Sequence, residues 1–159
     1  MSVERTQRFL DEQGSGLKVI EPDADTSTVQ AAAAALGVQP AQIAKTLALR
    51  AGDSVLLLVT RGDARLDNRK FRAHFGSKPR MLNAEETLAL TGQPVGGVGP
   101  FGHPEQLTIY CDMSLRAFDV VYPAAGSRSS AVRVSPCQLA ELSRASWVDV
   151  CLVPAGEAV

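Results

Sequence analysis

Short segments with regular apolar and polar positions follow one another along the chain, separated by glycine, proline and hydroxyl residues. Five of these segments carry the start signal of a helix, a serine, threonine, aspartate or asparagine that can accept a hydrogen bond from the first turn. In three of them a glycine follows the last residue, as is common at helix ends. The predicted helices are 2–13, 29–36, 68–75, 84–90 and 136–143.

Other apolar segments are shorter and favour strands, either as alternating patterns or as continuous apolar runs. The predicted strands are 19–20, 45–50, 54–60, 107–111, 119–122, 131–134 and 147–151. The link 51–53 is short enough to join the second and third strands as a hairpin. Because helices and strands mix without a regular strand–helix–strand alternation, we predict a single α+β domain over residues 1–159 with a mixed or largely antiparallel sheet.

The composition is that of an ordinary globular domain, with 159 residues of which 45% are apolar and 21% charged. The net charge of −1 gives no overall basic field, but residues 61–80 hold seven basic and two acidic side chains, a net charge of +5. Such a block suits contacts with nucleic-acid phosphates, and it equally suits the solvated face of one helix and its flanks. Both interpretations stay open at this point.

The three cysteines, Cys111, Cys137 and Cys151, are an odd number without metal-ligand spacing, which argues against a disulfide framework and a zinc site. The first residues lack the apolar core of a secretory signal, and no apolar run reaches the roughly 20 residues of a membrane span. We therefore expect a cytoplasmic protein with reduced thiols and without a bound metal, a cofactor or a membrane partner.

Four glycines crowd into the seven residues from Gly96 to Gly102, around a Pro-Phe pair and just before His103. Glycine allows another backbone or a ligand to approach closely, at a cost of roughly 0.5–1 kcal/mol for each residue, so the segment is a candidate pocket wall. An irregular loop would have the same composition. The segment has neither the register of a dinucleotide fingerprint nor the Gly-Lys-Ser/Thr of a phosphate-binding loop.

Two charged residues are candidates for chemistry. Strand alternation places Lys45 on the apolar face of its strand, with Leu47 and Leu49, where an unpaired ammonium is costly. Lys45 either snorkels to water from the strand end, or holds a carboxylate, phosphate or polarised carbonyl at a pocket mouth. Asp112 follows a predicted strand, and it either caps the next turn or orients Lys45 or a substrate ammonium.

A cluster of hydroxyl side chains is a third candidate for a site. Its members are Thr26, Thr28, Ser127, Ser129 and Ser130. These residues could line a polar pocket, and they are equally typical of turns and helix caps. The sequence pattern by itself does not separate the two interpretations.

The motifs occur in a recognisable order. Along the chain they are Ile43-Ala-Lys45-Thr-Leu, Gly62-Asp-Ala-Arg-Leu-Asp-Asn-Arg-Lys70-Phe, Gly96-Gly-Val-Gly-Pro-Phe-Gly102, Asp112-Met-Ser-Leu, Tyr122-Pro-Ala-Ala-Gly-Ser127 and Trp147-Val-Asp. Over residues 18–151 this order and spacing resembles the YbaK/ProX family of free-standing aminoacyl-tRNA deacylases. That family is related to the editing domain of bacterial prolyl-tRNA synthetases, and the resemblance implies a barrel-like sheet flanked by helices.

The resemblance implies a hydrolase that releases a small wrong amino acid, such as Cys, Ala, Ser or Thr, from the 3′ end of tRNA, with tRNA(Pro) as the expected carrier. Water would attack the ester. The implied partners are tRNA and, as a further candidate, prolyl-tRNA synthetase. Two other functions stay open: a non-catalytic tRNA- or RNA-binding module on the same fold, and a hydrolase of small esters or amides that uses the same pocket.

Residue roles also follow from the resemblance. Lys45 matches the essential lysine of the family, whose ammonium holds the substrate carbonyl or the terminal phosphate, and Asp112 matches a position near the pocket. We expect N–H groups of the glycine loop, that of Gly97 among them, to stabilise the oxyanion of the tetrahedral intermediate. The expected substrate-binding residues are Thr26, Thr28, Thr46, Gly96, Val98, Gly99, Pro100, Phe101, Gly102, His103, Gly126, Ser127 and Ser130. The residues expected to contact tRNA are Arg65, Arg69, Lys70 and Arg72.

Overall fold

The structure is a computed structural model that describes residues 2–104 and 106–154, so the predicted domain 1–159 includes residues 1, 105 and 155–159 outside the described part. The helices are α1 (Ser2–Glu12), α2 (Val29–Leu36), α3 (Asn68–Phe75), α4 (Ala84–Thr91) and α5 (Pro136–Ser143), with 3-10 turns at Pro40–Gln42 and Met113–Ala117. The strands are β1 (Val19–Ile20), β2 (Ile43–Ala51), β3 (Ser54–Arg61), β4 (Arg65–Leu66), β5 (Arg80–Met81), β6 (Thr108–Asp112), β7 (Tyr122–Pro123), β8 (Ala131–Val132), β9 (Ser146–Val148) and β10 (Cys151–Leu152).

Local capping defines the helices where the sequence predicts them. The Thr28 hydroxyl accepts a hydrogen bond from the Ala31 N–H at the start of α2, and Gly37 ends that helix with a left-handed φ of 69°. Asn83 and Glu86 form the reciprocal bonds of a capping box at the start of α4. These contacts join residues only three positions apart, so they depend little on the rest of the fold.

A six-stranded mixed sheet forms the centre of the domain, in the order β5-β2-β3-β6-β9 with β7 beside β2. β2 and β3 form an antiparallel hairpin, whereas β6, β7 and β9 each run parallel to a neighbour. The antiparallel pairs β1–β8 and β4–β10 lie outside this sheet. The predicted α+β class with a mixed sheet is confirmed. Because the end strands β5 and β9 do not pair with each other within the described ranges, the expected barrel-like sheet is open rather than a closed barrel.

The last apolar run differs from the single strand predicted over 147–151. It forms two strands, β9 in the central sheet and β10 beside β4. Between them, the Val150 N–H donates to the Asp112 carboxylate at 2.8 Å, at the point where the chain leaves the central sheet. The predicted strand 119–122 is also shorter than expected, since only its last residue belongs to β7.

The two faces of the β2–β3 hairpin pack against different apolar clusters. Ala44, Ala48, Leu57 and Val59 belong to the larger cluster, which also contains Val98 and Phe101 of the glycine loop. Leu49, Leu56 and Leu58 belong to the second cluster, with Phe71 of α3, Ala64 and Cys151. Successive side chains of a strand point to opposite faces, so this division follows from the order of residues in each strand.

A gap in one edge of β2 positions the candidate site. On that edge β7 pairs with β2 at residues 43–44, and β5 pairs with it at residues 49–50. Between these pairings, none of the described strands covers the edge. Lys45 and Thr46 lie in this gap and are therefore accessible from the side of the sheet.

Candidate functional site

A pocket of about 90 Å³ opens at the gap in β2. Its walls come from β2, the start of α2, the glycine loop and the segment from β7 to β8. The lining residues are Thr26, Ser27, Thr28, Val29, Ala32, Ile43, Ala44, Lys45, Thr46, Gly96, Val98, Tyr122, Ala124, Ser130 and Ala131. Lys45 is the one charged residue in this lining, and the other lining residues are apolar or carry hydroxyl groups.

The pocket brings together part of the predicted site. The predicted residues that line it are Thr26, Thr28, Lys45, Thr46, Gly96, Val98 and Ser130. Pro100, Gly102 and His103 line a separate cavity of about 440 Å³, with Phe9 and Leu142 among its other walls. Phe101 is buried in the larger core cluster, and Gly97, Gly99, Gly126, Ser127 and Asp112 are not in the pocket lining.

Eight lining residues were not among the predicted site residues: Ser27, Val29, Ala32, Ile43, Ala44, Tyr122, Ala124 and Ala131. Two of these, Tyr122 and Ala124, lie in one of the motifs that carry the family resemblance. The signal for them was the motif Tyr122-Pro-Ala-Ala, which precedes the predicted turn at Gly126 and Ser127. We predicted the turn residues Gly126 and Ser127 as site residues because the turn is rich in polar residue types. The apolar side of the motif reaches the pocket because β7 pairs with β2 immediately beside the gap.

Two glycines of the loop pack directly against the backbone that follows β7. A Cβ atom on Gly97 would lie 2.6 Å from the Ser127 carbonyl carbon, and one on Gly99 would overlap the Ala124 carbonyl oxygen. The Gly126 N–H also donates to the Gly97 carbonyl at 2.9 Å. Neither glycine has a positive φ, so close approach rather than an unusual turn requires the missing side chain.

Gly97 and Gly99 are held in place by hydrogen bonds to residues that precede them in the same loop. The Gly99 N–H donates to the side-chain oxygen of buried Gln93 at 3.0 Å, and the Gly97 N–H donates to the Pro94 carbonyl at 2.8 Å. Both N–H groups are therefore used inside the loop. The Gly97 N–H expected to stabilise an oxyanion thus already donates to a carbonyl in this structure, and Gly97 packs against Ser127. No local pattern in the sequence marked Gln93 as an anchor.

His103 holds the same loop from its other side. Its Nε2 donates to the Gly99 carbonyl at 2.6 Å, and since a carbonyl only accepts, this nitrogen is assigned the proton. Burial lowers the pKa of His103, the bond to Gly99 opposes the shift, and the charge of Arg5 adds to it. The imidazole is consequently neutral at pH 7 and serves as a loop anchor.

Lys45 projects from the face of β2 that packs on the second core cluster, as strand alternation predicts. Its half-buried Nζ donates to the Ala64 carbonyl at 2.6 Å, which uses one of its three N–H donors. Burial lowers the pKa of Lys45, while the Asp63 carboxylate opposes the shift. The side chain is a partly desolvated cation at the pocket wall, with further donors for a carbonyl or phosphate oxygen.

Most hydroxyl groups around the pocket hold its walls together. Thr26 Oγ1 accepts from the Ser130 N–H at 3.1 Å, and Ser130 Oγ accepts from the Ser127 N–H at 3.2 Å. Thr28 Oγ1 caps α2. These bonds explain why the hydroxyl cluster falls beside the pocket although most of its members serve turns and caps. Thr46 differs, because its Oγ1 is buried without a hydrogen-bond partner among the described residues.

Asp112 is buried outside the pocket lining. One carboxylate oxygen accepts from the Ser114 N–H at 2.9 Å, which caps the 3-10 turn, and the other accepts from the Val150 N–H at 2.8 Å. The carboxylate therefore joins the end of β6 to the chain between β9 and β10. This is the capping alternative that the sequence left open.

Replacing Asp112 with asparagine is expected to lower the free energy of unfolding by about 1–3 kcal/mol, because one buried N–H group loses its acceptor. Urea unfolding of the two proteins measures this change. Turnover per folded molecule should stay the same. An Asp112→Asn protein of unchanged stability that has lost turnover would instead assign the carboxylate to the chemistry.

Residues 61–80 contain both an internal ion pair and an exposed basic surface. The buried guanidinium of Arg61 bonds Asp63 at 2.7 Å. Lys70 Nζ bonds Asp149 at 3.0 Å, and this bond raises the pKa of Lys70. We define the basic surface as the exposed side chains Arg65, Arg69, Arg72 and Lys78, of which the last three border a shallow groove.

The buried thiols do not suit a covalent mechanism. Burial raises the pKa of Cys111 to about 12 and also raises that of Cys151, so both stay protonated at neutral pH. Within residues 2–104 and 106–154, no three His, Cys, Asp or Glu side chains are grouped to hold a metal ion. In the same ranges no helix has the length and apolar character needed to span a bilayer.

Comparison with known proteins gives consistent matches. A family model described as the aminoacyl-tRNA editing domain matches residues 23–142. The chain is 46% identical over 135 residues to the uncharacterized protein YwhH of Bacillus subtilis, covering 84% of this chain and 86% of that protein. It is 29% identical over 131 residues, 82% of this chain, to a proline–tRNA ligase of Kosmotoga olearia, of which it spans 22%. A crystal structure described as a candidate trans-editing enzyme for prolyl-tRNA synthetase matches with a TM-score of 0.85 and 35% identity, covering 94% of this chain and 96% of that one.

Proposed function

The chain belongs to the aminoacyl-tRNA editing domain family, as its motifs predict, and on this premise we propose that it hydrolyses the ester joining a wrong amino acid to tRNA. The proposed carrier is tRNA(Pro), because a proline–tRNA ligase shares the domain and the similar structure is described in relation to that synthetase. The proposed partners are tRNA and prolyl-tRNA synthetase. The proposed compartment is the cytoplasm, where tRNA is charged.

The observation that carries this proposal is the convergence of three motifs on one pocket. The strand with Lys45, the glycine loop at Gly96 and Val98, and the hydroxyl turn at Ser130 all line the same space of about 90 Å³. A pocket of this kind positions a small group beside a single cation. Positioning and charge stabilisation are what the hydrolysis of a labile aminoacyl ester requires.

We expect water to attack the carbonyl carbon of the ester. The new carbon–oxygen bond forms, the bond to the ribose oxygen breaks, and one proton passes to that ribose oxygen, which yields a free amino acid and uncharged tRNA. The Lys45 ammonium would stabilise the negative charge that develops on the carbonyl oxygen. Its bond to Ala64 leaves two N–H donors for this contact.

The size of the pocket supports selection of small amino acids. Its space of about 90 Å³ is bounded by backbone on one side, because the glycine loop packs directly on residues 124–127. A second, smaller site that admits only small wrong amino acids is the basis of double-sieve editing. We therefore expect Cys, Ala, Ser and Thr as candidate substrates.

Deacylation time courses on tRNA(Pro) charged in turn with Ala, Cys, Ser, Thr and Pro test the proposal. We expect the protein to release at least one of the small amino acids and to leave Pro-tRNA(Pro) intact. Binding of all five tRNAs without release would indicate a non-catalytic tRNA-binding module. Equal release from an aminoacyl ester without the tRNA body would indicate a hydrolase of small esters.

The exposed basic surface is the proposed contact with tRNA phosphates. Changing Arg69 and Arg72 together to glutamate should raise KM for charged tRNA roughly tenfold or more and leave kcat unchanged, because phosphate contacts add affinity without touching the ester. The slope of log KM against the logarithm of the salt concentration should decrease in magnitude by about one to two. These values come from initial rates at several salt concentrations.

Arg133→Glu is the matched control, since Arg133 is exposed and lies outside residues 61–80. It should leave KM and its salt dependence unchanged. A similar rise of KM in both proteins would mean that net charge, and not the basic surface, determines binding.

A further inference from the structure

Thr46 Oγ1 is the one buried side-chain oxygen or nitrogen of the described residues without a hydrogen-bond partner. An unpaired buried hydroxyl is costly, so native structures keep very few of them. The hydroxyls of Thr26, Thr28 and Ser130, which line the same pocket, all bond to backbone groups. The hydroxyl without a partner, Thr46 Oγ1, therefore belongs to a pocket-lining residue, and a bound molecule can supply the missing hydrogen bond.

The fold explains why no protein group reaches this hydroxyl. Thr46 lies in the gap of β2, and Ala44 and Ala48 share its face of the strand. Its partner across the hairpin is Val59, and Val98 of the glycine loop lies in the same pocket wall. The neighbours on this face are apolar side chains that neither donate nor accept.

The hydroxyl can still be presented to a ligand. Oγ1 is closed off from solvent, whereas Thr46 as a whole is partly exposed in the pocket wall. Rotation about the Cα–Cβ bond by a third of a turn moves the hydroxyl to another staggered position, and strand residues use more than one such rotamer. A ligand that forms a hydrogen bond favours the rotamer that points the hydroxyl into the pocket.

We infer that Thr46 is a specificity-determining residue that selects a β-hydroxy amino acid, serine, over alanine in the editing reaction. This inference rests on the proposed function, because it requires the aminoacyl group to occupy the pocket. The seryl hydroxyl and the Thr46 hydroxyl each donate and accept, so together they satisfy both groups. An alanyl group leaves Thr46 unpaired, and a cysteinyl thiol is a weaker partner.

The test compares kcat/KM for Ser-tRNA(Pro) and Ala-tRNA(Pro) with the wild-type protein and with Thr46→Val. The wild-type protein should favour the seryl substrate about tenfold, which is the value of one hydrogen bond in a closed site. Thr46→Val should reduce this ratio to about one by slowing only the seryl reaction. The alanyl reaction should keep its rate, since it never used the hydroxyl.

Thr60→Val is the matched control. Thr60 lies opposite Lys45 on β3, is fully buried, and its hydroxyl donates to the Arg61 carbonyl at 3.1 Å. Removing this satisfied hydroxyl should lower Tm and keep the Ser/Ala ratio. Thr46→Val should keep or raise Tm, because it removes a hydroxyl that has no partner in the free protein.

Three results would overturn the inference, and they can be told apart. An unchanged Ser/Ala ratio in Thr46→Val, or a wild-type ratio of one or below, removes the specificity role of Thr46 while the editing function stands. A fall of Tm in Thr46→Val as large as in Thr60→Val shows that the hydroxyl has a protein partner. If the wild-type protein releases neither amino acid, the proposed function fails and the role of Thr46 fails with it.

Discussion

Replacing Lys45 with alanine is expected to lower kcat/KM for deacylation by a factor of about 10²–10³, the usual cost of removing one donor to a developing oxyanion. Lys45 is the one charged residue of the pocket lining, and the described residues supply no second cation there. The variant should fold and bind tRNA, because Lys45 makes one bond to the fold, at Ala64. Single-turnover deacylation and equilibrium tRNA binding measure the two properties separately.

Two further variants test whether the loss of deacylation activity comes from the missing Lys45 charge. Lys45→Met keeps the length of the side chain without the charge and should be as inactive as the alanine variant. Lys18→Ala removes a lysine that is exposed and pairs with the exposed Asp11, so it should keep full activity. Deacylation that survives in both Lys45 variants would contradict the proposed role of the ammonium, and loss of tRNA binding together with activity would indicate a binding role.

Replacing Gly99 with alanine is expected to lower the free energy of unfolding by about 3 kcal/mol and kcat/KM by at least about tenfold. The new Cβ would overlap the carbonyl oxygen of Ala124, a backbone atom that cannot turn away as a flexible side chain can. Ala124 lines the pocket, and the Gly99 peptide groups are fixed by Gln93 and His103. Relief of the overlap must therefore move the pocket wall. Urea unfolding and steady-state kinetics measure the two effects.

Gly37→Ala is the control that separates the steric overlap at Gly99 from the backbone strain of a non-glycine residue at positive φ. Gly37 has a left-handed φ of 69°, and among the described residues no atom other than those of Gly37 and its chain neighbours lies within 4 Å of the position of its missing Cβ. Its replacement should cost about 1 kcal/mol in stability and leave kcat/KM unchanged. Equal losses of stability and activity in the two variants would show that the overlap at Gly99 is absorbed without moving the pocket.

Some site residues could be predicted because the sequence patterns that indicate them extend over only a few neighbouring residues. Alternation in β2 places Lys45 with Leu47 and Leu49, and the structure has the three residues on that face. The hydroxyl residues Thr28 and Ser130 indicated either a polar pocket or turns and caps, and both lie in the pocket lining. The roles assigned to these residues stay predictions until the kinetic experiments are done.

The rest of the site depended on contacts between distant segments. Asp112 caps its own turn through the Ser114 N–H, but its other carboxylate oxygen accepts from Val150, 38 positions later, a contact that no local pattern predicts. The glycine loop turns Gly96 and Val98 to the pocket but uses the N–H of Gly97 internally, a division that its composition does not predict. Thr46 Oγ1 has no hydrogen-bond partner among the described residues, and this likewise depends on the side chains that pack around it, Val59 and Val98 among them.

The sequence by itself determined the helices, the β2–β3 hairpin and the family of this protein, because caps, short turns and strand alternation act over a few residues. Only the tertiary structure decided the two-residue strands β4 and β5, the division of residues 147–151 between two sheets and the gap at Lys45 and Thr46. Pairings of this kind are selected by contacts between segments far apart in the chain. Since the pocket lies where two such pairings on β2 leave its edge uncovered, its position could be known only once the sheet was assembled.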